Sequence, residues 1–292
     1  LAEVAGAGSA TFSNESVDAV AGVATFTGLG LTYTNSGSTT ETLKLEASAT
    51  RLSAVQSSEL TARLAPSVTG VSSSTSDGSY KVGETISIQV TFSDEVTVSG
   101  TPQLTLETGT MDRIATYTEG GGTSILTFTY TVQAGDNAAD LDYASTTALS
   151  ANGGTIRSKV DTDVDAILTL ASPGQTGSLG ASKALVIDTS TPSGYTASLD
   201  GGFINSSNVT DVPLKWSGWE VGATSTTTVT FAANGAVLGP IDGIVSATAG
   251  TFSGYDLSSF PDGSVTLSVF LTDAAGNKGD PFALTAIKDT GA

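Results

Sequence analysis

Ile86, Ile88, Val90 and Phe92 alternate one for one with Ser87, Gln89 and Thr91, and this period of two restricts the fold more than any other feature. Successive side chains on an extended chain point to opposite faces, so a run like this buries one face and wets the other only as a strand. The pattern returns at Leu126, Phe128, Tyr130 and Val132, and again at Val265, Leu267, Val269 and Leu271. Gly, Asp, Asn or Pro bounds each run, and helical periodicity is hard to find. Many short strands separated by turn residues predict an all-β chain of packed antiparallel sheets.

A chain of 292 residues has room for two or three such domains. The segment ending ALVIDTSTP, at Asp188, is echoed by LTAIKDTGA, at Asp289, an interval of 101 residues or one sandwich. A further junction is expected at LAPSV, Leu64 to Val68, where a strand-like run meets proline. The predicted units are therefore 1–65, 66–188 and 189–292. About 65 residues are few for a seven-stranded sandwich, so the first unit is expected to lack its opening strands and the chain to be a segment of something longer.

Composition removes whole classes of chemistry. With no Cys and no His there is no disulfide, thiolate or imidazole metal site, and no Ser-His-Asp or Cys-His catalytic arrangement. Twenty-nine acids against eleven bases leave a net charge of −18, which opposes nucleic acid and anionic lipid. The same acids suit hard, oxygen-seeking cations such as calcium. The middle unit is the most acidic, with 14 acids and 5 bases, against 6 and 3 in the first and 9 and 3 in the last. No apolar run reaches 18 residues, so direct membrane insertion of this segment is not expected.

In the middle unit SDGSYKVGETISIQVTFSDEVTVSGTPQLTLETG, LTFTYTVQAGDNAADLDYASTTAL and NGGTI resemble a repeat of large bacterial surface proteins. In the last unit WEVGAT, DLSSFPDGSVTLSVFLTDAAGNKGD and KDT are similar to another such repeat. GVATFTGLGL and LEASATRLSAVQSSEL in the first resemble the C-terminal part of a third. These are bacterial immunoglobulin-like repeats of giant adhesins and biofilm-associated proteins. The resemblance implies tandem immunoglobulin-like β-sandwiches arranged end to end, at the bacterial cell surface, with neighbouring repeats as partners. It also implies calcium at repeat junctions and in loops.

Matched residue by residue, the candidate calcium ligands of the middle unit are Asp77 and Glu84 in DGSYKVGE, and Asp136, Asp140 and Asp142 in AGDNAADLDY. Asp140 and Asp142, two apart, point the same way on an extended chain. In the last unit they are Glu220 in WEVGA and Asp273 and Asn277 around Gly276, with Asp188 and Asp289 at the linkers. For each, the plainer alternative is a turn closed by side-chain to backbone hydrogen bonds. Asp161, Asp163 and Asp165 begin like an EF-hand loop, but Ala166 stands where Gly is needed and Ser172 where a bidentate Glu is needed. That run reads as a charged hairpin turn.

Trp216 and Trp219 are three apart, which on an extended chain puts them on opposite faces. One is expected in the core, the other either exposed, where it could stack on a sugar, or packed on a neighbouring strand or domain. The acids lie in turns, with no feature that supplies a cleft, so no enzyme is expected. The leading expectation is a structural spacer of an adhesin or fibre, stiffened by calcium. The alternatives are a module that recognises a glycan or surface protein, and a subunit that self-assembles laterally through its sheet edges.

Overall fold

The alternating run at 86–92 becomes the first half of a long strand, Thr85–Ser99. Its Ile86, Ile88, Val90, Phe92 and Val96 are buried, while the residues between them stay partly exposed. The computed structural model describes residues 2–5, 8–13, 16–18, 20–21, 23–25, 30–34, 40–51, 53–199, 201–231 and 235–291. The protein is nearly all-β. Among the described residues the α-helix is a single turn, Leu179–Ser182, whose first turn is capped by Ser178 accepting from Ala181 N.

In the middle region Thr85–Ser99 pairs antiparallel with Thr123–Thr131 on one side, and with Val68–Ser73 and Thr155–Ser158 on the other. The sheet continues outward through Arg113–Glu119 and Gln103–Glu107 to the short strands Asp142–Tyr143 and Leu149–Ser150. A second sheet joins Asn137–Ala138, Leu185–Asp188 and Gly78–Tyr80, the last two running parallel. Ile88, Leu104, Leu126 and Phe128 of the large sheet and Leu185 and Ile187 of the small one belong to one buried cluster. Each such side chain contributes roughly 1.5–3 kcal/mol by leaving water. That is more than a surface loop contact supplies, so the inward-facing residues decide the register.

From 196 onward the arrangement is plainer. Thr196–Leu199, Val212–Ser217 and Ala249–Tyr255 form one antiparallel sheet. Val237–Ile244, Thr224–Phe231, Gly263–Thr272 and Phe282–Lys288 form the other. Val265, Leu267, Val269 and Leu271 are fully buried between the two sheets with Leu214, Trp216 and Trp219. Three strands facing four in this order make an immunoglobulin-like β-sandwich. Its core and that of the middle region share no residue.

The N-terminal residues contain the strands Ala2–Ala5, Ser9–Ser13, Gly30–Thr34, Thr40–Ala47, Val55–Gln56 and Leu60–Arg63. Thr40–Ala47 pairs with Ala2–Ala5, Val55–Gln56 and Leu60–Arg63, and Ser9–Ser13 forms a ladder with Gly30–Thr34. Among the described residues before 66, Leu43 is the buried apolar side chain, beside Glu41, whose carboxylate accepts from the Tyr33 hydroxyl at 2.6 Å. Residues 22, 26–29 and 52, within the two resemblance segments of this region, lie outside the described residues.

Candidate functional site: acidic loops and the junction at Asp188

Nine of the ten candidate ligands fall into three places, and Asp289 stands apart from them. Asp77 and Glu84 border the turn that holds Lys81. Asp77 Oδ1 accepts from Ala184 N at 3.2 Å and pairs with Lys183 Nζ at 2.9 Å. That lysine, together with the Ala184 amide, holds the Asp77 carboxyl below the ordinary carboxylate value. Glu84 Oε2 accepts from Lys81 N at 2.8 Å, and Glu84 N donates to Lys81 O at 3.2 Å. Both acids act here as turn-formers.

The AGDNAADLDY segment splits. Asp136 is 1% exposed. Its Oδ1 accepts from Arg113 Nε at 2.6 Å, and its Oδ2 from the Tyr130 hydroxyl at 2.6 Å and Gln133 N at 2.9 Å. Burial first, then the neighbouring Asp136 carboxylate, push the Tyr130 hydroxyl far above its ordinary value, so it stays a donor. Asp142 Oδ2 accepts from Gly174 N at 2.8 Å and Oδ1 from Tyr143 N at 2.8 Å. Burial and then Asp142 push the Tyr143 hydroxyl up to about 12. Asp140 is exposed. A Cβ on Gly180 would lie 3.0 Å from Asp142 Oδ2 and 3.5 Å from Asp140 Oδ2, so the two carboxylates flank the same glycine.

The third group lies where the middle region meets the last sandwich. Asp273 and Asn277 are both buried and close their own loop: Asn277 N donates to Asp273 Oδ1 at 2.8 Å and Asn277 Nδ2 to Oδ2 at 2.9 Å. The same amide also donates to the backbone oxygen of Asp188 at 2.9 Å. Asp188 Oδ1 accepts from Ser190 N at 2.9 Å. Glu220 is exposed at the start of the turn closed by Ala223 N on Glu220 O. Burial, then Asp273, then Asp188 raise its carboxyl above the ordinary value, so the three acids share one field. Asp289 lies apart, its Oδ1 accepting from Gly291 N at 3.0 Å in the Asx turn that Asp188 also makes.

Calcium takes six to eight oxygens. Among the described residues no group of three or more carboxylates lies close enough to hold a metal ion. At Gly180 two carboxylates, those of Asp140 and Asp142, come together. Asp161, Asp163 and Asp165 form a turn: Val164 N donates to Asp161 O at 3.0 Å, Ser158 N to Val164 O at 2.9 Å, and Arg157 pairs with Asp165 at 2.7 Å.

The expectation of an exposed or separately packed tryptophan is corrected. Trp216 and Trp219 are both buried and stack on each other, centroids 4.9 Å apart, with Phe252 against both. The strand ends at Ser217, and Gly218 at φ +72° turns the chain so that Trp219 returns to the inner face. Trp219 Nε1 then donates to Thr196 O at 3.0 Å. Lys81 is the residue that sequence reasoning missed. Its Nζ donates to Gly276 O at 3.0 Å across 195 residues of chain, and the one trace in the sequence is a lone base inside the acidic DGSYKVGE turn.

No protein-family model and no curated protein matches this sequence. Among solved structures, the fibronectin(III)-like modules of Clostridium thermocellum CbhA align at 12% identity, over 75% of this chain and 94% of theirs, with a TM-score of 0.29. A tetra-tandem repeat from the extending region of a large adhesion protein aligns at 15% over 89% of this chain and 63% of its own, TM-score 0.31. The chicken CNTN1 FN1–FN3 domains align at 11%, over 86% and 78%, TM-score 0.31. Likenesses this distant carry no argument about function, which rests on the geometry above. Among the described residues no helix is long and apolar enough to cross a membrane.

Proposed function

We propose that this chain is a spacer segment of a bacterial cell-surface adhesin or fibre, built of tandem units spanning 1–65, 66–188 and 189–292 and without a catalytic role. The observation that carries this reading is the pair of separate cores, one from each of two successive regions, joined through a short linker whose polar groups are hydrogen-bonded on both sides. Force entering one sandwich through that linker passes to the next without opening either core. Calcium belongs to the proposal as an added stabiliser, taken by the paired carboxylates of Asp140 and Asp142. An ion bound only by the folded chain raises stability by about 2.7 kcal/mol at a hundredfold excess over Kd. Calorimetry should therefore show a higher melting temperature in calcium than in chelator, and equal values would remove calcium from the proposal.

One observation favours a second reading, a binding module. A groove of about 330 Å³ lies over Thr196, Ser198, Lys215, Ser217 and Thr251, on the outer face of the three-stranded sheet. Glycan and protein arrays probed with the full chain distinguish the two. A spacer gives no saturable signal. Saturable binding that is lost on Thr251→Trp, which fills the groove, would replace the spacer reading with the binding one.

A further inference from the structure

The linker after the middle sandwich is gripped from both sides. On the near side, Thr189 Oγ1 donates to Asp136 O at 2.8 Å and accepts from Gly135 N at 3.1 Å, while Asp188 pairs in the ladder with Asn137. On the far side, Asn277 Nδ2 holds the Asp188 carbonyl at 2.9 Å. A second contact crosses in the other direction, from Lys81 Nζ to the Gly276 carbonyl at 3.0 Å. Gly276, at φ +85°, leaves room for it, since a Cβ there would lie 3.0 Å from that ammonium.

We propose that these contacts form a lock that needs no metal, in which the Lys81 ammonium and the Asn277 amide hold the last sandwich in one setting against the middle one. Net charges of −9 in 66–188 and −6 in 189–292 oppose close approach of the two units. A positive charge at the loop that carries Asp273 offsets this, and a lysine supplies it from within the chain. A tethered cation has an effective concentration set by its stem and not by the medium. Hydrogen bonds from an ammonium are among the stronger ones available to a carbonyl. Asn277 does two tasks with one amide, since it bonds to Asp273 within its own loop and grips the linker. This lock deepens the spacer reading and rests on it for its purpose.

The chain has no cysteine, so Glu119→Cys and Val237→Cys, both at exposed positions, allow a pair of spin labels in the full chain. Pulsed dipolar spectroscopy should give one narrow distance distribution, the same in chelator and in excess calcium. Lys81→Met and Asn277→Ala should each raise the open population about tenfold, the loss expected for one strong hydrogen bond, and Lys81→Arg should restore the narrow distribution. Lys81→Met keeps the test valid if Asn277→Ala disturbs its own loop, because Lys81 lies outside both cores. A distribution that is broad in chelator and narrows only with calcium would overturn the proposal, as would one that stays narrow in the double variant. Failure of the spacer reading is a separate result, saturable binding on the arrays, and leaves the distance distribution unchanged.

Discussion

Asp136 and Glu220 are both loop acids, and their surroundings give them opposite behaviour. Asp136 is buried against Arg113, Tyr130 and Gln133 N. Removing it leaves a guanidinium and a phenol without their partner, so Asp136→Ala should cost about 3 kcal/mol, read as a fall in the urea midpoint at neutral pH. Glu220 is exposed as a residue, but its carboxyl is partly withdrawn from water, and that desolvation, then Asp273 and Asp188, raises it. A raised carboxyl means the folded state disfavours the ion. The penalty is absent below the ordinary carboxylate range and grows as pH rises through the raised value. Glu220→Gln should therefore melt slightly above the wild type at pH 7, by well under about 1 kcal/mol at an exposed site, with the gain vanishing as pH falls below 4. Melting curves across that range check both the sign and the window. The sequence marks all ten candidates as acids or amides in turns. It does not separate the buried clamp at Asp136 from the solvated Asp140, four residues on, because burial is set by strands that arrive from 113 and 130.

Strands were the most legible level. The runs at 86–92 and 265–271 form strands, as does 126–132 up to Thr131, with the expected residues facing inward, since alternation is a property of adjacent residues and needs no partner to be read. The tryptophans show where that local rule fails. Three positions apart on a continuous strand they would diverge, but a single left-handed glycine resets the parity. Gly250 completes the arrangement, as a Cβ there would lie 2.7 Å from Trp216 Cζ2. Gly250→Ala should therefore cost about 1–3 kcal/mol by overpacking and shift the near-ultraviolet circular dichroism of the stacked indoles. Unchanged stability with an unchanged indole signal would mean that the stack does not depend on this gap.

For the molecule as a whole, two cores that share no residue imply two cooperative units. Fragments 66–190 and 190–292 should each fold alone, giving dispersed amide spectra and one calorimetric transition apiece. In the full chain the last sandwich should melt above its isolated value by what the junction contributes, about 1–3 kcal/mol for the charged and neutral hydrogen bonds that cross it. A molten 190–292 fragment would show that the division is misplaced. The all-β class, the inward-facing residues of the principal strands and the turn chemistry of the acids are legible along the chain. Each of these depends on neighbours within a few positions, where pleat, periodicity and side-chain to backbone bonding operate. That Trp216 and Trp219 share one face, that Asp136 is a buried clamp and that Lys81 reaches Gly276 became fixed when the chain folded. Those outcomes depend on which distant strands and loops come together, and no local pattern records a hydrogen bond that spans 195 residues.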